Sequence, residues 1–171
     1  MSLALRTAPL VFVAAVVQVG TISGTRILGA EPDILLVTVI AVALVAGSIP
    51  GAVAGFAGGL LVDVMSLATL GTTSILLILA GYWAGRYGET TGRGRAYGPP
   101  LAASAITILA AVGGVALHFL LGQPVSARTA LAGAIPSAIV AAGLVVAMHR
   151  LAFALLEPAR PFDRPGQVEI V

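Results

Sequence analysis

The chain has no cysteine and no lysine, and only 9% of its 171 residues are charged. The missing cysteine removes disulfides, thiolate metal sites and cysteine nucleophiles at once. All nine basic residues are arginine. The charge deficit is the stronger statement. A soluble domain carries roughly 25% charged residues. Here hydrophobic residues make up 58% of the chain and the mean hydropathy is +1.06. Apolar blocks near membrane-crossing length recur from end to end, which predicts an all-α integral membrane protein. Chemistry is sparse as well. There is no HExxH, no phosphate-binding loop and no GxSxG. The two histidines, His118 and His149, lie far apart near segment ends, and a lone histidine is not a metal or catalytic site. No catalytic residue, cofactor or metal is expected, and the small arginine excess sets membrane topology and does not suggest nucleic acid.

Six apolar segments can be read, over 8–23, 32–48, 51–67, 73–87, 101–121 and 129–156, with a proline-rich tail from 158 to 171. Together they form one transmembrane domain over 1–157, a six-helix bundle. "SIPG" at 48–51 reads as a turn between the second and third segments. The second, third and fourth segments are slightly short for a bilayer span, which a locally thinned membrane would accommodate. The sixth is long and contains Pro136, so it is either one kinked helix or two. With cytoplasmic ends, Arg6, Arg86, Arg93, Arg95, Arg150, Arg160 and Arg164 fall inside and only Arg26 and Arg128 outside. This asymmetry predicts an inner-membrane protein with both termini in the cytoplasm. Arg86, Arg93, Arg95 and Arg150 then form a basic inner face suited to anionic headgroups and a cytoplasmic partner.

The stretch "GAVAGFAGGLLVDVM" at 51–65 holds the most specific pattern. Gly51, Gly55 and Gly59 recur every fourth residue and make a bare stripe on one helix face, with Asp63 one turn further on. Gly81 and Gly85 repeat the motif on the next segment. In lipid, helices associate through close backbone approach, so these glycines are read as a packing or partner interface. A carboxylate in a membrane helix is costly, which makes Asp63 a structural or functional acid. Its expected position is near the outer surface. Its expected partner is Arg26, Arg128 or the backbone amides of the "SLATLGTT" turn.

Residues 31–86, "EPDILLVTVIAVALVAGSIPGAVAGFAGGLLVDVMSLATLGTTSILLILAGYWAGR", resemble the MreD family of bacterial rod-shape-determining membrane proteins. The resemblance rests on Pro32-Asp33 opening the second span and on the run Gly51, Gly55, Phe56, Gly59, Leu60, Asp63. Gly71, the Gly81/Gly85 pair and Pro136 extend it. The weakly basic "RGRAYGPP" departs from relatives that carry more charge there. The resemblance implies a non-enzymatic scaffold or regulator of cell elongation and peptidoglycan synthesis. It would bind MreC and the complex of RodA with a class B penicillin-binding protein, beside the MreB filament and the membrane lipids. It also implies a fold like the S component of energy-coupling-factor transporters, with Asp33 and Asp63 as the acids of interest. The alternative is a vitamin-binding S component or small solute carrier. That would require convergent polar and aromatic groups in a cavity.

Overall fold

A computed structural model describes residues 3–22, 33–67, 69–91, 98–122 and 127–156. Among these the fold is entirely helical. The order is α1 (Leu3–Val17) continued by a π-helical turn (Gln18–Ile22), α2 (Ile34–Ala46), α3 (Ser48–Met65), α4 (Thr72–Thr91), α5 (Gly98–Leu120) and α6 (Ala127–Leu156). Among the described residues three segments are long and apolar enough to cross a membrane by themselves: α3, α5 and residues Gly133–Leu156 of α6. The apolar stretch Thr7–Gly20 and α2 are shorter. α4 has the length, with 20 residues, but carries Arg86 and Glu89 in its last turns.

α2 is the centre of the bundle. Every residue from Leu35 to Val45 is buried, and α1, α3, α4, α5 and α6 all pack against it. The sequence permits this because "ILLVTVIAVALVA" is apolar on all faces, and a helix hydrophobic all round belongs in an interior. Its one polar side chain, Thr38, donates its hydroxyl to the Ile34 carbonyl at 2.8 Å. Both ends of α2 are tied down. Asp33 accepts from the Leu36 amide at 2.8 Å, a standard N-cap bond. Gln18 Oε1, presented by the π-helical turn, accepts from the Ile34 amide at 2.8 Å. At the other end Gly47 adopts φ +105°, a left-handed conformation favouring glycine, and lets the chain reverse directly into α3.

That reversal differs from the sequence expectation. "SIPG" does not form a separate turn; Ser48, Ile49, Pro50 and Gly51 are the first residues of α3. Proline is tolerated in a first helical turn because its missing N–H has no intrahelical partner there. The fourth helix also runs to Thr91, past the expected end at 87, and the sixth is one continuous helix with Pro136 inside it.

Candidate functional site

α3 and α4 form an antiparallel hairpin, and their contact is made by backbone. A Cβ on Gly55 would collide with the carbonyl of Leu77, and one on Gly81 with the carbonyl of Gly51. On Gly59 it would lie 2.5 Å from Ser74 Cα, and on Gly85 it would overlap the backbone of Ser48. Gly51 faces both ways, toward Ala43 of α2 and Gly81 of α4. Gly58 lies on another face of α3, against Val11 of α1 and Leu35 of α2. Gly88 continues the contact surface of α4 onto Leu44. Such proximity maximises van der Waals contact where no hydrophobic effect holds helices together.

Each end of the hairpin is closed by a carboxylate of one helix on the first turn of the other. Asp63, in the last turn of α3, is 0% exposed. Its Oδ2 accepts from the Gly71 amide at 2.8 Å and from the Ser74 hydroxyl at 3.4 Å, and Oδ1 accepts from the Thr73 amide at 3.2 Å. A longer contact of 3.5 Å joins the Ser74 amide to Oδ2. These amides belong to the N-terminus of α4, where unpaired N–H groups and the helix dipole favour an anion. Gly71, at φ +93°, turns its own amide toward the carboxylate. Asp63 is therefore held by backbone of the following turn and helix. Its complete burial within the hairpin is what makes so many donors necessary. Arg26 lies outside the described residues, and Arg128 is in α6.

At the opposite end Glu89 of α4 does the converse. Its Oε1 accepts from the Ser48 amide at 2.8 Å and from the Ser48 hydroxyl at 2.9 Å, capping α3. Its Oε2 pairs with Arg86 at 3.4 Å on the exposed side. Sequence reasoning passed over Glu89 because it sat in a segment read as loop. One signal was present: a carboxylate at a helix C-terminus faces the negative end of its own dipole, so it needs donors from elsewhere.

The other expected site residues are dispersed. Asp33 serves its own helix, at the N-terminus of α2. Arg86 is exposed at the Glu89 end of the hairpin and Arg150 is exposed on α6. Arg93 and Arg95 lie outside the described residues. His118 Nδ1 is 2.8 Å from the Gly114 carbonyl of its own helix. His149 lies against Phe153, with ring centroids 6.4 Å apart. Among the described residues no three His, Cys, Asp or Glu side chains come together as a metal site.

An apolar groove of about 810 Å³ opens between α1 and α6, over the first turns of α2. Pro9 and Val13 of α1 and Met148 and Leu151 of α6 form its walls, and Thr38 is on its floor. The Thr38 hydroxyl is its single polar side-chain group and is already bonded within α2.

The pattern of glycines and Asp63 that builds this hairpin belongs to a longer match: the family model for rod shape-determining protein MreD covers residues 3–157. The chain belongs to the MreD family. No curated protein and no solved structure matches it. MreD is a family of rod-shape-determining membrane proteins, not of enzymes, and the apolar helices fit that membrane setting. In this chain both carboxylates of the hairpin, Asp63 and Glu89, are engaged in capping helix ends.

Proposed function

We propose that this chain is a non-enzymatic, six-span scaffold of the cell-elongation machinery. In this reading it binds MreC and the RodA–penicillin-binding-protein synthase, both its ends are cytoplasmic, and the MreB filament lies close to its inner face. The observation that carries the reading is the family match across residues 3–157. The geometry supports it. Backbone-to-backbone packing between α3 and α4, closed at both ends by carboxylates, gives a rigid body against which a partner helix can be oriented. The glycine face itself is occupied by α4, so partner contacts fall to the exposed sides of the helices. Arg86 and Arg150, both exposed, serve anionic headgroups and a cytoplasmic partner. A fold like that of transporter S components remains part of the proposal, resting on the family resemblance alone.

The vitamin-binding alternative finds less support. Its cavity would need several convergent polar groups, whereas the groove between α1 and α6 offers one hydroxyl that is already bonded. Affinity purification from native membranes separates the two readings. MreC and the synthase should copurify, with no bound vitamin. Recovery with a tightly bound small solute and an ATP-driven coupling module, and never with MreC, would refute the scaffold reading.

A further inference from the structure

The α3–α4 hairpin is short in the direction that matters to lipid. The exposed apolar side chains of α3 run from Ile49 to Met65, sixteen residue steps. At 1.5 Å per residue this is about 24 Å. On α4, the polar residues Thr72 and Arg86 bracket the apolar part, and their positions are about 21 Å apart. The large side chains that α4 exposes between them are Ile75, Leu79, Tyr82 and Trp83. Tyr82 and Trp83 meet edge to face, with centroids 6.1 Å apart. Both residue types prefer the headgroup boundary, so together with Arg86, about one turn further on, they mark that end of the belt. The chain beyond Met65 leaves the helix, and a non-helical turn does not stay in hydrocarbon exposed to lipid. Leu67 and Leu70, both highly exposed, hang from that turn. The neighbouring α5 is different: its 23 residues carry no Asp, Glu, Lys or Arg, giving about 34 Å of uncharged helix. An ordinary hydrocarbon core is about 30 Å thick.

We propose that the α3–α4 face is a bilayer-thinning surface: lipid beside it is compressed to roughly 21–24 Å of hydrocarbon, while lipid beside α5 keeps its ordinary thickness. Two features make thinning the response. The hairpin cannot lengthen its apolar belt by sliding, because Arg86 and Glu89 bound it at one end and the non-helical turn after Met65 bounds it at the other. It cannot stretch either, because the glycine contacts and the two carboxylate caps fix the register of the helices. The bilayer is the softer body. The surface favours short-chain lipid and disfavours long-chain lipid. This inference rests on α3 and α4 crossing the membrane.

Trp83 is the chain's single tryptophan and reports directly. The protein is reconstituted into bilayers of ordinary thickness containing lipid brominated either near the carbonyls or near the chain ends. Ile75→Trp in a Trp83→Phe background reports the other end of the belt, equally far from its middle. Leu109→Trp in the same background sets the deep reference on α5. Thinning predicts that Trp83 and Trp introduced at 75 both lose more fluorescence to the carbonyl-proximal bromines, while the α5 reporter loses more to the distal ones. If both hairpin reporters are quenched best by the distal bromines, the bilayer is not thinned and the proposal falls. One shallow and one deep reporter would mean a displaced hairpin and would also overturn it. No quenching of either by any brominated lipid would overturn the membrane-crossing reading with it.

Discussion

Replacing Gly59 by alanine adds one methyl group where two helix backbones meet. The new Cβ would lie 2.5 Å from Ser74 Cα and 2.6 Å from its amide nitrogen, atoms that cannot rotate away. Restoring ordinary contact moves the start of α4 outward by about 0.9 Å. The same segment supplies the Asp63 donors. A Gly71–Asp63 bond now at 2.8 Å would stretch past hydrogen-bonding range under that shift. Overpacking costs about 1–3 kcal/mol, and loss of a bond to a charged group about 1.5–3 kcal/mol. Alanine returns up to about 1 kcal/mol in helix propensity. The expected net is a loss of about 1.5–6 kcal/mol. Gly143→Ala is the control, because a Cβ there meets nothing within 4 Å; it should be neutral or stabilising by up to about 1 kcal/mol. For a chain of this size the two variants should melt roughly 3–28 °C apart. The assay is thermal unfolding in one detergent, followed by helical circular dichroism. Melting temperatures within two or so degrees of each other would show that the α3–α4 contact has slack, and the reasoning from backbone proximity would be refuted.

Three further outcomes follow from the same geometry. Asp63→Asn places an amide N–H₂ among donors in a buried site, so stability should fall by about 1–3 kcal/mol, with assembly and rod shape impaired; a variant that folds and supports rod shape normally would show that the charge is dispensable. Glu89→Ala leaves the Ser48 amide and hydroxyl without their acceptor and should lower the melting temperature and speed amide exchange in the first turn of α3, whereas Glu89→Gln, which keeps an acceptor, should do less; equal effects would discount the cap. In the cysteine-free chain, single cysteines at Ser2, Gly92 and Gln167 should resist a membrane-impermeant thiol reagent in intact cells, and labelling of Gly92→Cys from outside would reverse the cytoplasmic assignment of that loop.

The sequence by itself determined the solvent and the element type. With 9% charged residues and apolar blocks throughout, helices that satisfy their own backbone in lipid are the available solution. It also determined that 51–65, once helical, would carry a smooth face, because a four-residue glycine period lies along one side of a helix. Tertiary structure decided what that face touches. The period is blind to whether a glycine stripe meets lipid, a partner or a neighbour in the same chain; the facing residues Leu77, Gly81 and Ser74 settle it as α4. Structure also decided the partners of the acids. Asp63 and Glu89 are separated by most of the hairpin in sequence, and nothing local pairs them. They become a matched pair of caps because antiparallel packing brings the C-terminus of each helix beside the N-terminus of the other, where free amides wait for an acceptor. Likewise α2 reads as one more apolar segment. Its place at the centre follows from having five helices around it, and that is a property of the assembled bundle, which no window of 13 residues contains.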